Sequence, residues 1–247
     1  MQMQTIIRPA IFSEFRELKA GMSTKLGRDQ SSVFAMNMSY AVGDNPSNVR
    51  ENRKCFFSQL NISEDELAIP HQCHSNMVAD VAKPGEYNSC DALTTNKDHV
   101  ALVITIADCV PIFLYDPVQK VIGIVHAGWK GTSNAIMCET IDKMKKVYSC
   151  SPTNLYAFIG PSAGSCCYEV GKEVAINFEE KIVSYHNKKF FLDLKGENKN
   201  QLLQSGLSIS KIELSPDCTI CRNDLYHSYR RDGTKSGRMM AVISIQE

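Results

Sequence analysis

The sequence has no surplus of charge of either sign. Lys and Arg number 27, and so do Asp and Glu, among 247 residues. Nucleic-acid binding draws mainly on a basic surplus, so the electrostatic case for a DNA or RNA partner is weak. No long apolar run is present either. The longest, 100–115, is interrupted by Thr105 and Asp108 and contains Pro111, which makes it too short and too polar for a membrane span. The N-terminal MQMQTIIRPAIF lacks a basic segment followed by an apolar stretch and a small-residue cleavage site. No secretory signal is read there, and a cytoplasmic protein is expected. Repeats and low-complexity tracts are missing, and no Pro- or Gly-rich linker marks a boundary, so a single domain over 1–247 is the simplest organisation. Tryptophan occurs once, as Trp129.

Cysteine, by contrast, is abundant at ten residues. A secreted disulfide framework is the first alternative. The missing export signal and a chain long enough to build its own core argue against it. Most of the cysteines are expected reduced, several as small buried apolar residues. Apolar residues make up 43% and charged residues 22%, the ordinary balance of a globular protein.

Apolar and β-branched runs predict strands at 100–106, 111–115, 121–125, 155–159, 209–214 and 239–245. Asp116-Pro117-Val118-Gln119-Lys120 reads as a turn, so 111–115 and 121–125 form a predicted hairpin. Helical spacing predicts helices at 45–60, 133–148, 171–182 and 197–204, with Asn45 or Ser47 capping the first and Thr132 or Ser133 the second. Strands mixed with helices, a hairpin among them, predict an α+β or mixed α/β architecture.

The stretch 104–131, ITIADCVPIFLYDPVQKVIGIVHAGWKG, is the most informative. Cys109 precedes one hairpin strand and His126 follows the other. Antiparallel pairing therefore brings the two to one end of the sheet. Upstream, HQCHSN offers His71, Cys73 and His74 as a third ligand, and spacing alone does not choose among them. Three mixed Cys and His ligands suit zinc and leave one position open. Zinc also lowers the pKa of bound water to about 7. The plain alternative is a reduced core cysteine beside hydrogen-bonded histidines.

At these residues the sequence resembles a family known as laccase-domain proteins, multicopper polyphenol oxidases, peptidoglycan editing factors and YfiH-type purine nucleoside phosphorylases. The resemblance covers nearly the whole chain: GDNPSNVRENR (43–53), HQCHS (71–75), CDALTT (90–95), ADCVPIFLYDP (107–117), HAGWKG (126–131), IGPSAGSCCYEVG (159–171), DLKGENKNQL (193–202), CT (218–219), YHSYRRDG (226–233) and SGR (236–238). It implies a layered α+β sandwich of mixed sheets and helices, like the catalytic domain of cytotoxic necrotizing factor toxins. It implies zinc on His74, Cys109 and His126. It also implies phosphorolysis of adenosine, inosine, guanosine or methylthioadenosine, with hydrolytic deamination of adenosine. The laccase label implies copper and phenol oxidation as an alternative, although one three-ligand site is not a multicopper cluster. The editing label implies hydrolysis of a cell-wall precursor with Cys109 as nucleophile. Ser75, Cys73, Lys130 and Lys25 depart from the family's usual glycine, valine and arginines, and none of these departures removes a ligand.

Further roles are assigned on the same footing, each beside a plain alternative. Asp108 is a catalytic candidate, against a carboxylate that caps backbone amides. His71 orients a ligand or protonates a leaving purine, against a half-exposed surface histidine. Trp129 stacks on a base or forms a wall. Lys130 binds substrate phosphate, with a single charge where arginine would offer a fork. Arg230 and Arg231 suit phosphate; if 226–231 is extended, only one of them points into the site. Asn52 lines the pocket or anchors its helix, and Tyr226 and Tyr229 are expected to pack. Cys166-Cys167 is read as core packing and Cys218-x-x-Cys221 as a weak metal or redox signal, because no partner pair is evident. The expected partners are a purine nucleoside and phosphate, with no nucleic acid and no membrane.

Overall fold

In the computed structural model, which describes residues 5–27 and 32–246, two six-stranded sheets lie face to face. The first runs Ile6–Ile7, Leu18–Ser23, Met239–Ile245, Ala101–Ile106, Leu67–Pro70 and Gly85–Tyr87 in spatial order. The second runs Ile212–Leu214, Tyr156–Ile159, Val110–Asp116, Val121–Ala127, Ala92–Thr95 and Val78–Asp80. A small third sheet of Glu169–Val170, Lys189–Leu192 and Val183–His186 flanks them.

The layering follows from strand alternation. Every residue of Val110–Asp116 is buried, because both faces of the strand are covered. Phe113 and Tyr115 point into the core between the sheets, with Leu102, Ile104 and Ile243 opposite. Val110, Ile112 and Leu114 point the other way, against Ile136, Met137, Ile141 and Leu202. These come from helices Ile136–Tyr148 and Leu194–Gln204. On the far side of the first sheet, Val103, Met240 and Val242 pack on Phe56 and Phe57 of helix Pro46–Ser58. The fold is thus a mixed α+β sandwich with helices outside two sheets, the class the sequence predicts. Among the described residues, no helix is long and apolar enough to cross a membrane.

The predicted hairpin is present. Val110–Asp116 and Val121–Ala127 pair antiparallel, with Val110 opposite Ala127 and Pro111 opposite His126. The Asp116 carboxylate closes its turn by accepting from the backbone N–H groups of Val118 and Gln119, at 2.9 and 3.1 Å. Asn45 caps the first helix at Ser47 N (2.9 Å), with Pro46 as its first residue.

Four expectations are corrected. The 133–148 helix is two pieces, Trp129–Ser133 and Ile136–Tyr148, separated by Ala135 at φ 56°. Neither Thr132 nor Ser133 caps the longer one, whose N-cap is Ala135. The 171–182 helix shrinks to Lys172–Ala175 plus a 3-10 turn at Glu180–Ile182. At its end the Asn177 side chain donates back to the carbonyls of Glu173 and Val174 at 2.7 and 3.2 Å, a local bond that competes with further helix. In 209–214 only Ile212–Leu214 is strand, and 209–211 forms a tight turn.

Candidate metal and substrate site

The hairpin register sets the site's floor. Cys109 stands one residue before Val110, and His126 lies opposite Pro111. His74 enters from the segment between Leu67–Pro70 and Val78–Asp80, with its backbone at φ 59°. One donor atom from each of His74, Cys109 and His126 falls within 4.8 Å of the others. The two imidazole centroids are 4.9 Å apart, and the Cys109 Sγ is 4.0 Å from His74 Nε2. Gly128 leaves the room this requires. A Cβ there would stand 3.0 Å from the His74 ring and 3.1 Å from the Cys109 sulfur.

One buried carboxylate organises the group. Asp91 Oδ1 accepts from His126 Nδ1 at 2.8 Å and from the His74 backbone N–H at 3.0 Å. Asp91 Oδ2 accepts from the backbone N–H of Ser75 at 2.6 Å, its hydroxyl at 2.8 Å and the Cys73 backbone N–H at 3.2 Å. Burial alone would raise the Asp91 pKa. The bonds from His126 and Ser75 outweigh it and hold the carboxyl well below the usual range. With Nδ1 engaged by Asp91, His126 turns Nε2 toward Cys109 and His74. A carboxylate behind a histidine is how metal-ligating imidazoles are fixed in tautomer and orientation. Burial also works against the thiolate of Cys109 and the imidazolium of His126. The attraction between the two prevails, bringing the thiol down to about 6 and the imidazole up to about 10. Two imidazoles and a readily formed thiolate, preorganised by a carboxylate, fit a metal ion. Asp91 appears in the sequence only as a member of CDALTT. An acid opening a fully buried strand is the signal that marks it.

The floor opens into a cavity of about 530 Å³, the size of a small-molecule site. His74, Cys109, His126, Asp108, Trp129 and Arg230 line it, together with Gln72, Thr105, Tyr168, Tyr229 and Arg238. Arg230 stacks over the Tyr168 ring at 5.0 Å and Arg238 over Tyr229 at 5.4 Å. Two guanidinium groups therefore share this wall. Asp108, at φ 85°, spends both carboxylate oxygens on positioning: Thr219 Oγ1 donates at 2.7 Å and the Arg230 backbone N–H at 2.6 Å.

Other candidates lie elsewhere. Segment 226–231 is not extended: Ser228 caps a short helix, Tyr229–Asp232, which sends Arg230 into the cavity. Arg231 instead donates to the carbonyls of Thr219, Ile220 and Tyr226 at 2.8, 3.1 and 2.9 Å, tying the loop together. Asn52 lies on the buried face of the first helix and donates to the carbonyls of Ala35 and Asn37 at 3.2 and 2.9 Å. Lys130 is exposed, its ammonium 5.7 Å over the Trp129 ring. His71 faces an adjoining cleft, with Nε2 3.1 Å from Glu86. Tyr226 packs as expected and is fully buried, whereas Tyr229 is half exposed and lines the cavity. Sequence reasoning missed Tyr168, Tyr229 and Arg238 as lining residues. Tyr168 lies some sixty residues before the C-terminal stretch that carries Tyr229 and Arg238, and only the assembled fold gathers them.

Fold and site define a mixed α+β protein with a His-Cys-His centre at the mouth of a hairpin, open to a polar cavity. The chain belongs to the family described as multi-copper polyphenol oxidoreductase laccase, whose pattern matches residues 19–246. It is 34% identical to the purine nucleoside phosphorylase YlmD of Bacillus subtilis, over 94% of this chain and 90% of that one. It is also 32% identical to human purine nucleoside phosphorylase LACC1, over 70% of this chain and 42% of that one. Among solved structures, the YfiH protein of Bacillus licheniformis superposes with a TM-score of 0.92 at 30% identity, covering 99% of this chain and 98% of that one.

Proposed function

We propose that the chain is a zinc-dependent purine nucleoside phosphorylase that also deaminates adenosine. One observation carries the reading: His74, Cys109 and His126 converge on the floor of a cavity that also presents two arginines and three aromatic rings. The names of the relatives support the substrate class. The three residues would hold zinc, which supplies a Lewis acid that polarises oxygen and activates water.

The chain's own residues account for substrate binding. In phosphorolysis a phosphate oxygen bonds to ribose C1′ while the C1′–N9 bond breaks. The electron pair leaves with the purine, which takes up a proton. Arg230 and Arg238 carry permanent charge, and their planar forks match phosphate oxygens, so they hold the nucleophile in place. Trp129 offers a ring face for the base, while Tyr168 and Tyr229 back the two guanidinium groups. Asp108 keeps Arg230 in register through the backbone bond at its N–H.

A second reading rests on the acidity of Cys109, brought down to about 6. Such a thiolate also suits attack on an amide, the chemistry of cell-wall precursor editing. A third, copper-dependent phenol oxidation, is supported by the family description alone.

The deciding experiment incubates purified protein with adenosine, with and without phosphate, before and after chelation and zinc return. Adenine and ribose 1-phosphate appear only with phosphate, inosine appears without it, and chelation stops both until zinc is restored. Neither product from zinc-loaded protein would sink the proposal. Oxygen uptake with a phenol after copper loading would put the oxidase reading in its place. A covalent acyl adduct on Cys109 in metal-free protein would do the same for the amidase reading.

A further inference from the structure

A second sulfur-rich cluster lies away from the cavity lining. Cys166 and Cys167 sit in the loop between strands Tyr156–Ile159 and Glu169–Val170, and Cys218 and Cys221 in the segment after Ile212–Leu214. The fold joins these segments by a parallel bridge between Ser162 and Cys218 and by Thr219 N donating to the Ser162 carbonyl at 2.9 Å. All four sulfurs lie within 4.8 Å of one another. Cys167 Sγ is 3.2 Å and Cys166 Sγ 3.6 Å from Cys221 Sγ. Four thiolates around one zinc at about 2.3 Å would stand about 3.8 Å apart along the edges of a tetrahedron. Both measured separations fall short of that edge, and no pair exceeds 4.8 Å. They are too short for sulfurs that surround an iron–sulfur cluster, whose irons must fit between them.

The local backbone supports the same assignment. Cys218-x-x-Cys221 has the ligand spacing of structural zinc sites. The Gly164 N–H donates to the buried Cys218 sulfur at 3.2 Å. Such outer bonds accompany metal-held thiolates. Gly164 allows the approach, since a Cβ there would lie 3.1 Å from Cys218 Cβ and 3.3 Å from Cys166 Sγ. A disulfide would use two of the four sulfurs and leave the others beside it without a role.

We propose that Cys166, Cys167, Cys218 and Cys221 form a second, structural metal site that binds one zinc ion as a closed tetrathiolate. Four protein ligands leave no position for substrate, so the ion clamps chain to chain. It joins the loop that leads into Tyr168 to the segment that carries Thr219, the donor to Asp108 at 2.7 Å. The clamp thereby holds one wall of the cavity. The site is independent of zinc on His74, Cys109 and His126, and the two are separable by experiment.

The test measures zinc per chain in reduced, zinc-replete protein, and the optical spectrum after cobalt(II) replacement. Cys109→Ser should keep one zinc and the full tetrathiolate charge-transfer bands. Cys221→Ser should lose one equivalent and those bands. Equal zinc content in wild type and Cys221→Ser, with no tetrathiolate bands in either protein, overturns the proposal. Should Cys221→Ser fail to fold, alkylation of the wild type decides. The four cysteines should resist iodoacetamide until chelator is added, while exposed Cys73 reacts at once. Mass spectrometry showing all four alkylated with zinc present, or a Cys167–Cys221 disulfide in place of zinc, would refute the site.

Discussion

Replacing Asp91 by asparagine isolates the role of one carboxylate, and the hydrogen-bond geometry sets the size of the effect. Six donors converge on its two oxygens: His126 Nδ1 and His74 N on Oδ1, and Cys73 N, Cys73 Sγ, Ser75 N and Ser75 Oγ on Oδ2. An amide must put its NH2 at one of those places. At Oδ2 it faces two backbone N–H groups, because the serine hydroxyl can turn and accept but the amides cannot. Two buried donors left unsatisfied cost roughly 2–6 kcal/mol in total, at about 1–3 each. At Oδ1 it leaves the His74 backbone N–H without an acceptor and forces His126 Nδ1 to accept, which moves the ring proton to Nε2 and blocks that ligand. The first arrangement sacrifices stability, and the second sacrifices stability and metal affinity together. Either way the charge that raises the basicity of His126 is gone, so metal affinity should fall by about 10- to 100-fold. Denaturant unfolding of metal-free protein measures the first quantity, and competition with a chromophoric chelator the second. Ser75→Ala removes one donor without adding another, so it should cost about 1 kcal/mol or less and leave metal affinity unchanged. Asp91→Asn matching wild type in both assays would show that the carboxylate does not organise this centre.

Arg230→Ala should raise KM for phosphate by about 10- to 100-fold, the loss of one charge-assisted bond worth about 1.5–3 kcal/mol. An unchanged phosphate KM, with Arg238→Ala also silent, removes the anion from this wall. His227 gives a pH prediction. Burial, reinforced by the Lys25 charge, pushes its pKa from 6.5 down to about 3, and among the described residues its Nε2 has no hydrogen-bond partner. The folded imidazole stays neutral, whereas the unfolded chain takes up a proton below pH 6.5, so stability falls as pH drops from 6.5 toward 3. Between pH 7 and pH 5 the wild type should lose about 2 kcal/mol more than His227→Gln, read from paired denaturation curves. Equal losses would place the proton elsewhere. Phe113, fully buried with its ring centroid 5.6 Å from that of Phe158, should cost about 3–5 kcal/mol as Phe113→Ala. Urea midpoints test this, and a loss under 1 kcal/mol would mean that the inter-sheet core is not packed there.

Sequence was most informative where structure is local. The apolar runs 100–106, 111–115, 121–125 and 239–245 are strands because each is buried on both faces, and burial writes itself directly into residue type. The turn at Asp116–Lys120 fixed the hairpin, and the hairpin alone brought Cys109 and His126 to one end of a sheet. Helix ends were less legible. Ala135 in a left-handed conformation and Asn177 bonding back to its own helix are backbone choices that hydrophobic period does not record. Choosing His74 over His71 and Cys73 needed the family resemblance, because three candidate ligands within four residues satisfy spacing equally well.

Tertiary packing alone decided the rest. Asp91 lies in a motif of no obvious chemistry and becomes the organiser only because the hairpin strand carrying His126 runs beside it. Arg230 and Arg231 are neighbours in sequence, yet a one-turn helix capped by Ser228 sends the first into the cavity and the second into loop carbonyls. Cys166-Cys167 and Cys218-x-x-Cys221 read separately as packing and as a weak signal. They meet because two loops at the same end of the second sheet are bridged. Residue types and local periodicity specify elements and turns, since those depend on neighbours along the chain. A site built from distant segments depends on how sheets stack, and that is settled by the burial of side chains far from the site.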